Sequence, residues 1–139
     1  EKDKIELSAH YGLDSFEQTG VFIVNKINRE YCKKLLVVLD NQSHPTHHHI
    51  KKEESFELLH GDCVLNLNGK NIELERGKAV LIPRGTKHSF TSKGGCVIEE
   101  ISTTHYSGDS VYENVDINKL TINDRKIFLS SSQVKDLVS

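Results

Sequence analysis

Methionine and tryptophan are absent from this 139-residue sequence, and proline occurs only twice. The absence of Met extends to the first position, which is Glu1. Initiator Met is ordinarily removed only before a small residue, so the chain reads as a piece of a longer protein. Cysteine is scarce as well. Cys32, Cys63 and Cys96 form no CxxC pair and are odd in number, which argues against a disulfide framework and for a reducing, cytoplasmic compartment. Each is expected to be a buried structural thiol. No apolar run approaches the roughly 18 residues of a membrane-spanning helix, and no signal-peptide pattern opens the chain. Neither sign of charge dominates: 18 Lys and Arg face 20 Asp and Glu, a net charge of −2. That balance lacks the basic surface of a broad nucleic-acid binder. The expectation is therefore no nucleic-acid partner and no membrane.

What the chain does have is histidine: eight residues, five of them between His44 and His60. It also has the pattern of many short strands. Val21–Ile27 and Tyr31–Leu39 are rich in β-branched and apolar residues, with Asn28-Arg29-Glu30 as a turn. Cys63–Leu67 and Ile72–Leu74 flank Asn68-Gly69, a hairpin signal because both residues tolerate positive φ. Ala79–Ile82, Ser89–Thr91 and Val97–Ser102 add further strands. This spacing predicts an all-β sandwich or barrel with its core at about residues 21–104. Residues 1–20 and 105–139 read as flanking arms. Ser8–Gln18 carries a short helix or an irregular arm. The C-terminal arm is polar, with a secondary structure its pattern does not decide. Ser130-Ser131-Ser132 either opens a fraying tail or caps a last helix.

The stretch that carries chemistry is His47-His48-His49-Ile50-Lys51-Lys52-Glu53-Glu54. On a strand, His47 and His49 project from one face and His48 from the other. Glu54 shares its face with Phe56 and Leu58, whereas Glu53 falls with Ser55 and Glu57, so Glu54 is the carboxylate that joins the histidines. Imidazole nitrogens and carboxylate oxygens suit one divalent ion: Mn, Fe, Co, Ni or Zn. Further on, a hairpin carrying Pro83-Arg84-Gly85 would bring His88 back to this group.

These residues fall into two blocks: HxH, four residues, Glu54, six residues, Gly61; then Gly77, five residues, Pro83, one residue, Gly85, two residues, His88. Fifteen residues separate the blocks. Together they resemble the cupin pattern. Ser92 stands where the second block usually has Asn, a position that binds no metal in the family. The resemblance covers about Val21 to Ser102 and implies a jelly-roll barrel with a metal at His47, His49, Glu54 and His88.

Flanking segments narrow the resemblance. Tyr31-Cys32-Lys33-Lys34-Leu35, His44-Pro45-Thr46-His47 and Glu99-Glu100-Ile101-Ser102-Thr103-Thr104-His105 resemble D-lyxose isomerase-type sugar cupins. They are closer still to cupin domains at the C-terminus of N-acetylneuraminate (sialic acid) synthase-like enzymes. In the isomerase-like group a lysine and a glutamate beside the metal assist proton transfer, and here these would be Lys34 and Glu100. The expected substrate is a sugar or sugar acid, in a pocket lined by Lys34, Phe56 and Glu100 with Tyr31 or Phe90. Arg84 and Lys87 are candidates for contacting an anionic group, against the plainer reading of exposed turn residues. Two alternatives stay open: a non-catalytic sugar-binding or assembly module, and a metal-dependent dioxygenase. A homodimer is expected, because the arms need a surface to pack on and strand edges near Val21 and Tyr31 need cover.

Overall fold

The computed structural model of the protein describes residues 4–130, 132 and 133. Its strands are β1 (Lys4–Ser8), β2 (Val21–Asn28), β3 (Tyr31–Val38), β4 (Ser43–His49), β5 (Glu54–Gly61), β6 (Val64–Leu67), β7 (Lys70–Glu73), β8 (Val80–Ile82), β9 (His88–Thr91), β10 (Cys96–Thr103), β11 (Ser110–Tyr112) and β12 (Lys126–Ser130). They form a seven-stranded sheet, β12-β1-β2-β3-β10-β5-β8, and a five-stranded sheet, β11-β4-β9-β6-β7. The result is the all-β sandwich that the strand pattern predicts, with the jelly-roll architecture that the resemblance implies. Short helices α1 (Phe16–Thr19), α2 (Val115–Lys119) and α3 (Ile122–Arg125) lie in the arms.

Alternation fixes which residues face inward. On β3, Cys32, Lys34, Leu36 and Val38 are buried; on β5, Glu54, Phe56 and Leu58; on β10, Cys96, Ile98, Glu100 and Ser102. One end of the barrel interior is apolar, built on Leu36, Phe56, Leu65, Phe90 and Ile98. Burying each of these side chains contributes roughly 1.5–3 kcal/mol before entropy is counted. The other end is polar and holds the histidines. Asn68 and Gly69 form the expected tight turn, with φ of 48° and 85°. Gly61, which closes the first motif, has φ 81° and passes so close to Gly95 that an added Cβ would lie 2.0 Å from its carbonyl oxygen. Only glycine fits there. The three cysteines are buried and free. Among the described residues no helix is long and apolar enough to cross a membrane.

The arms depart from the expected picture. They are strands of the barrel, with β1 and β12 extending the large sheet beyond β2 and β11 extending the small one. The reason is a reversed pattern. On β1 the fully buried positions are Glu6 and Ser8, while Ile5 and Leu7 are only partly covered, so the strand does not look amphipathic in the usual sense. The edges near Val21 and Tyr31 are covered within the chain by β1 and β10, which removes the edge argument for a dimer. The short helix expected within Ser8–Gln18 is the 3₁₀ turn Leu13–Ser15 running into α1. Most of the tail that begins at Ser130 lies outside the described residues.

His10 follows β1 and is fully buried, its Nδ1–H donating to the Thr19 carbonyl. Burial pushes its pKa down to about 4. The unfolded chain then takes up a proton near pH 6.5 that the folded chain refuses until about pH 4. The stabilisation is fully present above pH 6.5 and is lost as pH falls toward 4, a difference of roughly 3 kcal/mol. His10→Asn keeps a donor near the Nδ1 position but does not titrate. Urea unfolding at several pH values is expected to show a shallower loss of stability between pH 6.5 and 4 in the variant. An unchanged slope would rule His10 out as the cause.

Candidate metal and proton-transfer centre

Three elements bring the histidines together. His47 and His49 are both buried on β4, and His88 at the start of β9 is directly opposite His47 in the register. The turn before His88 is tied to β4 by the Gly85 N–H, which donates to the His49 carbonyl at 2.7 Å. A register shift lies between His44 and His47, where Pro45 has no N–H to give the ladder. The bulge turns His44 inward as well, so three of the four histidines between His44 and His49 end on one face, where strict alternation would split them.

The ring orientations leave one donor of each kind pointing at a common centre. His88 Nδ1–H donates to the Thr86 carbonyl at 2.9 Å and His47 Nδ1–H to the Pro45 carbonyl at 3.2 Å. A carbonyl only accepts, so the proton is on Nδ1 and the Nε2 lone pair is free. His49 Nδ1 lies 3.3 Å from Ser110 Oγ. Donor atoms of His47, His49 and His88 all lie within 4.8 Å of one another. Glu54 adds its carboxylate, Oε1 3.2 Å from His49 Nε2 and Oε2 3.1 Å from His88 Nε2. Glu54 Oε2, His49 Nε2 and His88 Nε2 have no hydrogen-bond partner among the described residues. Between His88 Nε2 and Glu54 Oε2 two lone pairs face one another at 3.1 Å and repel, and a buried acceptor without a donor is costly. A cation between them satisfies all of these atoms, so the residues fit a divalent metal ion. Burial first, then the neighbouring imidazoles, hold the His47 pKa well below its usual value, in the neutral form that ligates.

Beside this set lies a second buried group. Lys52 Nζ donates to Glu100 Oε1 at 2.8 Å and also contacts Glu54 Oε1. Burial alone would lower the pKa of the ammonium, but Glu100 and Glu54 outweigh it and raise the value. Burial, with the charge of Glu54, raises the Glu100 carboxyl, although Lys52 and Lys34 act against it. Burial also opposes ionisation of Glu54, but hydrogen bonding and the Lys52 charge hold it well below the usual carboxylate range. The two carboxylates are thus driven apart. Asp109 sets the position of Lys52. Its carboxylate accepts from the N–H groups of Ile50, Lys51 and Lys52 at 3.2, 2.9 and 3.0 Å, fixing the bend between β4 and β5.

The other sequence candidates divide. Lys34 is buried opposite Glu100 in the β3–β10 register, while Lys33 turns outward to Glu99 at 3.1 Å. Lys34, Phe56, Phe90 and Glu100 line an inner cavity of about 60 Å³ with the histidines. Tyr31 does not: it is 56% exposed, on the outward parity of β3 with Lys33. Arg84 and Lys87 are also outside. Arg84 Nε donates to the Lys51 carbonyl at 2.6 Å and its guanidinium faces Glu53 at 3.6 Å, while Lys87 faces Glu113 at 3.9 Å. They brace the turns around the site and reach neither cavity. The cation in contact with Glu100 is Lys52, which the sequence reading missed. Its signal was available, since Lys52 shares the parity of Glu54 and Phe56. His44 was concealed by the bulge and Asp109 by its distance along the chain.

A family model described as a cupin domain matches residues 35–101. The chain is 26% identical over 149 residues, covering 86% of this chain and 82% of the relative, to the D-lyxose/D-mannose isomerase of Thermosediminibacter oceani. Among solved structures it is similar to the L-ribose isomerase of Cellulomonas parahominis with L-ribose, with a TM-score of 0.72, 14% identity and coverage of 82% and 81% of the two chains. The L-ribose isomerase of Geodermatophilus obscurus gives a TM-score of 0.71 at 15% identity, covering 81% of each chain.

One divalent ion per chain is expected by equilibrium dialysis against Mn²⁺ or Co²⁺. At about 100 times its dissociation constant the ion should stabilise the fold by about 2.7 kcal/mol. His88→Ala removes a ligand and should weaken binding by roughly 100-fold or more. Wild-type affinity in that variant would contradict the assigned ligand set.

Proposed function

This chain carries a cupin domain, and from the groups gathered in its barrel we propose that it is a metal-dependent aldose–ketose isomerase. The observation that carries the reading is the buried Lys52–Glu100 pair directly beside the four side chains that fit a metal. His47, His49, Glu54 and His88 hold the ion, which when bound supplies Lewis-acid polarisation of the sugar's carbonyl and the adjacent hydroxyl. Glu100 is the base. Burial raises its pKa and so strengthens it as a proton acceptor, and it can take the hydrogen from C2 of an aldose as a proton and return it to C1. The proton of the C2 hydroxyl moves to O1, so the product is the ketose with no net change of atoms or charge. Lys52 stays cationic, orients Glu100 and offsets the negative charge that develops as C2 loses its proton. Lys34, inward on the cavity wall, is placed to hold a sugar oxygen. Phe56 and Phe90 close the apolar side and exclude water.

Support comes from the similarity to a D-lyxose/D-mannose isomerase and from the barrel shared with two L-ribose isomerases. The dioxygenase alternative has less support, because a Lys–Glu pair beside the ligands is equipment for moving protons. The segments around Tyr31, His44 and Glu99 support a further part of the reading, that this domain serves at the C-terminus of a sialic acid synthase-like protein. The reading frame upstream of Glu1 tests that.

The direct test loads the protein with Mn²⁺ or Co²⁺ and assays aldoses for ketose formation. Glu100→Gln is expected to lower kcat by about 100-fold or more with metal content unchanged, because it removes the proton acceptor and no ligand. Turnover intact in Glu100→Gln would show the base to be wrong. Sugar binding without any turnover would favour the binding module.

A further inference from the structure

The inner cavity does not end the site. Lys34, His105, Ser110, Tyr112 and Lys126 line both it and a larger outer cavity of about 560 Å³ under β12 and the loop after β10. That volume lies within the roughly 300–1,000 Å³ of small-molecule sites. Its charge is one-sided. Lys4, Lys34, Arg125 and Lys126 stand on its wall, and Glu6 is the one carboxylate among the described residues that line it. Glu6 is already engaged, 2.6 Å from Lys126. Lys4, Lys34 and Arg125 form no salt bridge among the described residues, although the Lys34 charge acts on Glu6 and Glu100.

Arg125 is held in place by structure. It ends α3, whose start is fixed by a capping box between Thr121 and Asp124, and its guanidinium carbon lies 5.4 Å from the centre of the Tyr112 ring. Its Nε is buried without a hydrogen-bond partner among the described residues. The positive field reaches neighbouring groups. Burial pushes the His105 pKa down to about 4, with Lys34, Lys52 and Lys126 acting in the same direction. Cations of one sign around a concave, partly desolvated wall focus a field that attracts an anion, and a guanidinium fork matches a carboxylate or phosphate.

We propose that the outer cavity binds an anionic group, a carboxylate or a phosphate, carried by the sugar whose reacting end lies at the three histidines. The substrate is then an acidic or phosphorylated monosaccharide. This rests on the isomerase reading for what lies at the inner end; the anion site stands on the cavity alone. Arg84 and Lys87, the sequence candidates for such a contact, are on the wrong side of the barrel wall. Asn25, Asn28 and Ser107 add neutral partners for sugar hydroxyls on the same wall.

The test is calorimetric titration of the Mn²⁺-loaded full chain with four probes: D-mannose, D-mannose 6-phosphate, D-mannuronate and inorganic phosphate. At least one anionic sugar is expected to bind about tenfold or more tightly than D-mannose, and which of the two does so identifies the group. The preference should shrink as salt rises from about 0.05 to 0.5 M. Arg125→Gln should bring the anionic sugar to within about threefold of D-mannose. Lys4→Gln, at an exposed position, should narrow the gap in the same direction and serves if Arg125→Gln does not fold. D-mannose binding as tightly as both charged sugars, a preference insensitive to salt and to both substitutions, or no binding of any probe would overturn the inference. The readout is binding. A charged sugar held tightly but never turned over would therefore overturn the isomerase reading and leave the anion site standing, and turnover of neutral sugars without preference would do the reverse.

Discussion

The ammonium of Lys52 between the carboxylates of Glu54 and Glu100 is the contact on which the arrangement of the histidine centre depends. Three ionisable groups are removed from water there, each at a desolvation cost of several kcal/mol. They persist because the Lys52 ammonium bridges both carboxylates, and the raised pKa of Glu100 relieves the excess negative charge. Removing Lys52 would leave the buried carboxylates without a counter-charge. The same group explains why this end of the barrel is polar while the other is packed with Leu36, Phe56, Leu65 and Ile98. Replacing a buried ion pair by well-packed apolar side chains is often neutral or stabilising, so the cost of this group is not recovered as stability.

That arrangement extends outward. Asp109 clamps the N–H groups of residues 50–52 and so fixes Lys52. The carbonyls of Pro45 and Thr86 fix the protonation of His47 and His88. The Gly85 N–H ties the second motif to the end of the first. Each is a backbone or carboxylate contact two or more residues from the group it orients. The centre is therefore set by the fold and does not wait for a ligand to assemble it.

Much of this is legible in the sequence, for definite reasons. The inward parity of Glu54, Phe56 and Leu58 follows from a period of two, as does the pairing of His47 with His49. The positive-φ turn at Asn68-Gly69 follows from residue type. The spacing of Pro83, Gly85 and His88 implies the return of β9 to β4. What period-two reasoning cannot deliver is a register shift. The bulge at Pro45 brings His44 inward against the simple alternation. It also cannot recognise a strand whose buried face is polar, which is why β1, carrying Glu6 and Ser8, reads as an arm. Tyr31 fails for the opposite reason, since its parity on β3 is that of Lys33 and points to solvent. Arg84 and Lys87 fail because charge in a turn says nothing of which side of the barrel wall the side chain takes. Long-range partners such as Asp109 and Arg125 carry no local signal at all.

The central claim is that the side chains of His47, His49, Glu54 and His88 converge on one divalent ion beside the Lys52–Glu100 pair. Crystals grown with Mn²⁺, measured for anomalous scattering at the manganese edge, test it most directly. The account predicts one strong peak per chain, at roughly 2.0–2.3 Å from the Nε2 atoms of all three histidines and from a Glu54 oxygen. It also predicts that Glu100 stays outside the coordination sphere. A peak ligated by Glu100 in place of Glu54, or manganese bound only at the protein surface, would contradict it.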